Sequence, residues 1–391
     1  MTGDDKQLAV LEPGATEPRL LQIRGVNEGR YVPSGHIVYS NRGALLAVPF
    51  DLSSLTVTGT PVTVIEGIKT TLSFDSSFSV SANGTLVYEP QVSTSTGSRL
   101  ASVDRAGNVR PMTDGRALTR NFSVSPDGKQ VAAEVVAVND DIWIYDVADG
   151  TSTRLTFEPG DEVFPQWTPD GRRIAFGTRI GKMFWKSADG TQQREEFPRG
   201  EFPRFPSSFT PDGKTLAFVE AHPSTRNDIW LMPLDGDRKA QPFLNTEADE
   251  KGPKFPPDGR WLTYMSDETG HDEIWARPIG SSGAKKRVST GGGAWPVWNR
   301  NGRELFFLKG HKIAAVSVDA DLNRVGQERI VLDAPQFENA QFQEFQSKPE
   351  YDVMPDGEHF VVLLTPKYPA ITHFNVVVNW LEELKRLAPQ K

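Results

Sequence analysis

One short pattern recurs eight times along the 391-residue chain, and it constrains the fold more than any other feature. Each copy has an apolar residue, a small residue, Pro-Asp-Gly or a relative of it, and then an apolar segment. The glycines of the copies stand at positions 35, 84, 128, 171, 213, 259, 302 and 357. A period in the forties is typical of a β-propeller blade, which consists of four short strands and their turns.

The repeated turn has a physical explanation. Pro presets φ at the first central position, Asp accepts hydrogen bonds from nearby amides, and Gly adopts the positive φ that closes a hairpin. A further strand with alternating apolar residues follows, as in Asp141-Ile-Trp-Ile-Tyr145. Helical periodicity occurs only at 380–388, where Leu381, Leu384 and Leu387 share a face. We therefore predict an all-β chain, a single propeller domain over residues 1–391 with a short C-terminal helix at 380–388 outside the last blade.

The two ends of the chain indicate how such a ring would close. The last repeat has two strands and then the segment 374–380, whereas 7–11 and 19–23 look like third and fourth strands with nothing before them. A propeller that did not pair its last blade with its first would leave two exposed sheet edges. We predict eight four-stranded blades, with N-terminal strands from residues 1–25 completing the C-terminal blade. Seven blades is the alternative, if one of these segments lies outside the ring.

Composition argues against several classes of function. The net charge of −8 disfavours nucleic-acid binding, which needs a clustered basic surface. Cysteine is absent, which excludes disulfides, thiol nucleophiles and Cys-ligated zinc. The first twenty residues carry charges throughout, and no apolar run approaches the roughly 18 residues of a membrane span. We expect no signal peptide, no membrane insertion and a monomer.

Motifs that carry known chemistry are missing from the sequence. It has no Gly-x-Ser-x-Gly elbow of a serine hydrolase, no glycine-rich phosphate loop, and neither His-Arg-Asp nor Asp-Phe-Gly of a kinase. The six histidines lack metal-ligand spacing, although His222 and His271 occupy equivalent positions in adjacent repeats. Turn formation explains the aspartates of the Pro-Asp-Gly motifs. We predict a non-enzymatic chain without metal or cofactor.

Several longer stretches resemble the TolB-like propellers with Pro-Asp repeats, which form the sensor-like C-terminal half of many bacterial, notably acidobacterial, serine/threonine kinases. The matching stretches are 30–39, 46–51, 78–84, 141–143, 153–157, 233–239, 289–293 and 377–380. The resemblance implies an extracytoplasmic module that binds a ligand or a protein, and it carries over no catalytic residues. The kinase half and its membrane segment are missing, so we expect a stand-alone relative or a part of a longer or split protein.

Residues that break the repeat just before the innermost strand are the candidate ligand-binding residues, because that strand lines the central channel. They are Asp75, Arg120, Asn121, Glu162, Arg204, Lys251, Lys254 and Trp295. Mixed charge with an exposed aromatic suits recognition of a peptide or glycan, although an ordinary water-filled channel also has a polar lining. We predict a binding or scaffold propeller that recognises a protein, peptide or glycan at the channel mouth, with a protein or peptide favoured. The alternative is a propeller lyase or hydrolase that acts on a sugar polymer or peptide.

Overall fold

The chain consists of two compact units, Met1–Ser95 with Lys367–Lys391 (unit 1) and Thr96–Pro366 (unit 2). The computed structural model describes residues 7–12, 14, 16–24, 26, 28–41, 43–68, 78–90, 99–113, 118–136, 139–280, 283–333, 351–364 and 373–389. Antiparallel β-strands dominate both units, which confirms the all-β propeller class predicted from the repeat. The single domain over residues 1–391 stays a prediction.

Unit 1 contains a hairpin, two larger sheets and one helix. Its elements, numbered in chain order through the whole protein, are β1 (Gln7–Val10), β2 (Arg19–Arg24), β3 (Gly29–Val32), β4 (His36–Asn41), β5 (Ala44–Asp51), β6 (Thr56–Val57), β7 (Val62–Glu66), β8 (Phe78–Val80), β9 (Leu86–Tyr88), β34 (Asn375–Val377) and α1 (Trp380–Leu387). Strand β1 pairs with β2, strands β3 to β7 form one sheet, and a three-stranded sheet has the order β34-β9-β8. Helix α1 is the predicted C-terminal helix, and it buries Trp380 and Leu384 in the unit 1 core.

Unit 2 contains six four-stranded antiparallel sheets. Its strands are β10 (Arg99–Asp104), β11 (Val109–Pro111), β12 (Leu118–Val124), β13 (Gln130–Val136), β14 (Asp141–Asp146), β15 (Ser152–Arg154), β16 (Glu162–Trp167), β17 (Arg173–Thr178), β18 (Met183–Ser187), β19 (Glu195–Glu196), β20 (Arg204–Phe209), β21 (Thr215–His222), β22 (Arg226–Pro233), β23 (Gln241–Leu244), β24 (Glu250–Lys254), β25 (Trp261–Ser266), β26 (Glu273–Pro278), β27 (Lys286–Arg287), β28 (Ala294–Trp298), β29 (Glu304–Lys309), β30 (Lys312–Ser317), β31 (Arg329–Asp333), β32 (Tyr351–Val353) and β33 (His359–Leu364). We call the sheet β32-β33-β10-β11 blade 1, and the sheets β12–β15, β16–β19, β20–β23, β24–β27 and β28–β31 blades 2 to 6.

The six blades of unit 2 form a closed ring. Their innermost strands β12, β16, β20, β24, β28 and β32 contact one another in this order, and β32 also contacts β12. Large side chains such as Phe176, Phe218 and Phe306 on the second strands are fully buried between blades. The inner strands therefore surround a central channel whose walls are held by packing between neighbouring blades.

The repeated turn has the predicted geometry. All eight repeat glycines have positive φ, between 68° at Gly302 and 86° at Gly84. In the turn of blade 2, Asp127 accepts hydrogen bonds from the Ser125 hydroxyl at 2.7 Å and the Lys129 amide at 3.0 Å. Asp170 and Asp212 accept the equivalent bonds in blades 3 and 4. The prediction that these aspartates stabilise turns is confirmed.

The strands that complete blade 1 differ from the predicted ones. Strands β1 and β2, from the segment 1–25, pair with each other, whereas β33 of the last repeat pairs with β10 along its whole length. Strand β34, predicted as the third strand of the last blade, pairs with β9 instead. The repeats that begin near 78 and 351 thus exchange their third strands, and unit 2 has six blades among the described residues. The count of eight predicted for the whole chain, with seven as the alternative, is not confirmed.

The physical reason for this difference is that local sequence does not select the partner of a third strand. The apolar residues of β10 and β34 fit a buried third strand, but neither segment carries a local signal for one particular second strand. Closure of the ring selects the pairing. When β33 pairs with β10, neither the first nor the last repeat of the ring is left with an open sheet edge.

Arg105, in the turn between β10 and β11, links blade 1 to blade 6. Its guanidinium donates two hydrogen bonds to the Glu304 carboxylate, at 2.7 and 3.2 Å, and one to the Gly357 carbonyl at 2.6 Å. The same group lies 5.4 Å from the centre of the Phe306 ring. A bidentate ion pair of this kind, largely shielded from solvent, fixes the closing blade against its neighbour.

Candidate functional site in the channel of unit 2

A lysine of blade 5 reaches past blade 4 to blade 3 on the channel side of unit 2. The Lys254 ammonium donates hydrogen bonds to Gln166 Oε1 of blade 3 and to the Ser207 carbonyl of blade 4, both at 3.0 Å. Blades 3 and 5 are not neighbours, so the bond to Gln166 passes along the inner side of blade 4. Lys254 therefore lies on the channel side of the blades.

A bulge in β24 directs Lys254 to the channel side. The register with β25 shifts between Lys251 and Lys254, where Gly252 has a φ of 57°. A Cβ atom at position 252 would lie 3.0 Å from the Trp295 ring, so both the backbone conformation and the space favour glycine. Bulges re-aim side chains in this way. The Thr263 hydroxyl holds the strand after the bulge by donating to the Lys254 carbonyl at 3.0 Å.

The electrostatic environment of Lys254 is unusual for a lysine. Burial lowers the pKa of its ammonium, and the only opposing influence comes from the Asp352 carboxylate of blade 1. Asp352 accepts hydrogen bonds from the Val124 and Val353 amides, both at 2.8 Å. Within the residues that the structure describes, Lys254 forms no salt bridge, so its direct hydrogen-bond partners are neutral and Asp352 acts on its charge only from a distance.

Glu162 and Arg204, two other predicted binding residues, begin the inner strands of blades 3 and 4 and are buried in ion pairs. Glu162 accepts a hydrogen bond from Arg194 at 2.9 Å, and Arg204 donates to Glu220 at 2.6 Å. Burial raises the pKa of Glu162 to about 7, although Arg194 opposes the shift. Both side chains are engaged within their own blades.

The remaining predicted residues have different surroundings. Lys251 pairs with Asp249 at 2.5 Å. Trp295, expected to be an exposed aromatic, is only 4% exposed, and its carbonyl accepts a hydrogen bond from the Tyr351 hydroxyl at 2.9 Å. Asn121 donates to Glu134 at 2.7 Å, Arg120 lies in β12, and Asp75 falls outside the described residues. Among the candidates whose side chains the structure describes, only Lys254 bonds to two other blades, and a ligand-binding role for the set stays a prediction.

Sequence reasoning missed a carboxyl pair between blades 4 and 5, Asp228 and Glu250. Both side chains are 1% exposed, and each has one oxygen without a hydrogen-bond partner among the described residues. The other oxygen of Glu250 accepts from the Thr246 hydroxyl at 2.5 Å. Burial raises the pKa of both groups, that of Glu250 to about 7, and the charge of Asp228 adds to the shift of Glu250. Glu250 stands where Glu162 stands in blade 3, a recurrence that the sequence already contained.

The histidine pair has local partners. His222 Nδ1 lies 2.9 Å from the Ser224 hydroxyl, and His271 Nε2 lies 3.0 Å from Glu273. No group of three histidine, cysteine or carboxylate side chains suited to hold a metal occurs in the described part of the chain.

A groove of about 600 Å³ lies between the turns of blades 5 and 6, at the opposite ends of the inner strands from Glu162 and Glu250. Its lining combines the indole rings of Trp261 and Trp298 with Asp258 and Arg303. The ammonium of Lys286 lies 4.8 Å from the centre of the Trp261 ring.

A closed ring of four-stranded blades with Pro-Asp-Gly turns defines unit 2 as a TolB-like β-propeller. A solved structure assigned as TolB from Agrobacterium tumefaciens superposes with a TM-score of 0.56 at 18% identity, over 69% of this chain and 99% of that one. Among sequence relatives, the Tol-Pal system protein TolB of Wolinella succinogenes is 25% identical over 169 residues, and YuxL of Bacillus subtilis, described as an uncharacterised peptidase, is 25% identical over 174 residues.

These relationships cover only parts of the proteins concerned. The matched regions span 41% of this chain and 39% of TolB, and 43% of this chain and 25% of YuxL. No protein-family model matches the chain. Among the described helices none has the length and apolar character needed to cross a membrane. The kinase context suggested by the sequence resemblance stays a prediction.

Proposed function

We propose that unit 2 is a non-enzymatic binding module that takes up a peptide segment of a protein partner in its channel, where Lys254 binds a carboxylate. The observation that carries the proposal is the Lys254 ammonium itself, which lies on the channel side with neutral hydrogen-bond acceptors only. Burial of a charge without a counter-charge costs free energy. A ligand carboxylate would compensate this charge and accept the third N–H of the ammonium.

The surroundings of Lys254 favour a peptide over a neutral glycan. Gln166 and the Ser207 carbonyl offer the amide and carbonyl groups that pair with a peptide backbone. An Asp or Glu side chain, or a chain terminus, would provide the carboxylate that a neutral sugar lacks. Similarity to a protein of the Tol-Pal system supports a protein partner, and the resemblance to TolB-like propellers supports an extracytoplasmic location.

Replacement of Lys254 tests the proposal. A peptide-display selection on the wild-type protein should enrich sequences with a carboxylate, and calorimetry should show that Lys254→Met weakens their binding by about 10- to 100-fold. This range corresponds to the loss of one charge-assisted hydrogen bond, about 1.5–3 kcal/mol. Lys239→Met, at an exposed position of blade 4, should leave affinity unchanged. Equal affinity of Lys254→Met and wild type for the selected peptides would refute the proposal.

A hydrolase is the second candidate, because YuxL is described as a peptidase. Glu162 and Glu250, with pKa values of about 7, have the protonation behaviour that a general acid needs near neutral pH. Mass spectrometry of the selected peptides after incubation distinguishes the two functions. Intact peptides support a binding module, whereas cleavage that is lost in Glu250→Gln or Glu162→Gln would support the hydrolase.

A further inference from the structure

Within the part of the chain that the structure describes, the sheet β34-β9-β8 in unit 1 has three strands, whereas every blade of unit 2 has four. Its edge strand and the flanking residues expose three apolar side chains, Phe374, Val376 and Val378, which are 57%, 59% and 68% exposed. Val377 lies between them and packs against the unit 1 core with Leu86. Because side chains alternate along a strand, Val376 projects to the face of the sheet opposite this core, and Phe374 and Val378 flank the strand at its two ends.

An edge with these properties is uncommon in a folded protein. Natural edge strands are protected against pairing by charged side chains, proline or a bulge. The segment 374–378, Phe-Asn-Val-Val-Val, contains no charge, no proline and no glycine. Within the described residues, β9 is the only strand that pairs with β34, so the backbone groups on its outer side are available for a further strand.

We infer that β34 is a dimer interface, which pairs in antiparallel register with β34 of a second copy of this chain. The segment is self-complementary. With Val376 on the two-fold axis, Phe374 of one copy lies opposite Val378 of the other, and Asn375 lies opposite Val377. Pairing that continues one residue beyond β34 at each end brings all six exposed apolar side chains to one side, because residues directly opposite in an antiparallel pair project to the same face. The two three-stranded sheets become one sheet of six strands.

Charge favours a second copy as the occupant. An isologous contact places each residue near its own symmetry mate, which is unfavourable for charged segments because like charges meet. Positions 374–378 are uncharged, so this obstacle is absent. The proposed dimer differs from the monomer expected from the sequence, and the oligomeric state decides between them.

Sedimentation of the full-length chain between about 1 and 100 μM tests the inference. The wild type should sediment as a dimer at the upper concentrations. Val376→Lys places two ammonium groups opposite each other on the two-fold axis and should raise the dimer dissociation constant about 100-fold or more. The matched control is Val109→Lys, on the exposed edge strand β11 of blade 1, where valine is 49% exposed. This variant should dimerise like the wild type.

A cross-linking experiment covers the case in which Val376→Lys disturbs folding. The chain has no cysteine, so Val376→Cys introduces a single thiol at the proposed axis. Mild oxidation of Val376→Cys should give a disulfide-linked dimer on a non-reducing gel. Val109→Cys should dimerise in solution but run as a monomer on this gel, because its thiols do not meet. A folded wild type that is monomeric at 100 μM, or a Val376→Cys protein that does not cross-link above the level of Val109→Cys, would overturn the inference.

Discussion

Deletion of residues 1–113 should abolish cooperative folding of unit 2, whereas deletion of residues 1–95 should leave it folded. The difference between the two deletions is the segment that contains β10 and β11, which are half of blade 1. Strand β10 buries Leu100, Ala101 and Val103, and all six of its residues pair with β33. Without it, β33 becomes an open edge and the bidentate contact of Arg105 with Glu304 is lost.

The size of this effect follows from burial and pairing. Two fully buried aliphatic side chains contribute about 1.5–3 kcal/mol each, and an ion pair shielded from solvent adds to them. Their sum is comparable with the whole stability of a typical domain, about 5–15 kcal/mol. Urea denaturation followed by tryptophan fluorescence and circular dichroism measures the outcome. Equal transition midpoints for the two deletions would contradict the assignment of β10 and β11 to blade 1.

A pair of leucines provides a matched point-mutation control. Leu100→Ala in β10 removes a fully buried side chain from the core shared by blades 1 and 2 and should destabilise unit 2 by about 2–5 kcal/mol. Leu20→Ala changes an exposed leucine of β2, one of the strands that the sequence had assigned to the closing blade, and should alter stability by less than about 0.5 kcal/mol. The reverse order of effects would favour closure by the N-terminal strands.

The free energy of unfolding should fall by about 3 kcal/mol between pH 5 and pH 8 because of Glu250. Its pKa is about 7 in the folded protein and 4.5 in the absence of structure. Between these two values the unfolded chain binds fewer protons than the folded one, so stability declines as pH rises and levels off above about 7. A difference of this size in pKa corresponds to about 3 kcal/mol. Asp228, Asp249 and Glu268 all raise the pKa, and Thr246 opposes the shift by donating to the carboxylate.

Glu250→Gln removes this titration and keeps an oxygen that can accept from Thr246. The variant should be about 3 kcal/mol more stable than the wild type at pH 8, nearly equal to it at pH 5, and less dependent on pH between them. Glu162, whose pKa is also about 7, should contribute the slope that remains. Glu247→Gln, an exposed position in the same loop, is the matched control and should follow the wild type. If Glu250→Gln retained the full pH dependence of the wild type, the assignment to Glu250 would be wrong.

The amino-acid sequence by itself determined the blade as a local unit. Each Pro-Asp-Gly turn depends on contacts within a few residues, such as those of Asp127 with Ser125 and Lys129, and on the φ that glycine permits. Apolar alternation identified the strands, and leucines at every third position, 381, 384 and 387, identified helix α1. The departure of Lys254 from the repeat made it a candidate binding residue, and that role stays a prediction.

The tertiary structure alone decided which repeats join, and how charges are compensated between them. Neither β10 nor β34 carries a signal for one particular second strand, so the exchange between the repeats near 78 and 351 had no local signal. The same holds for the Asp228–Glu250 pair and for the bond from Lys254 to Gln166, whose partners are brought together from different blades. Turns depend on neighbours in the chain, whereas ring closure and pKa values depend on neighbours in space.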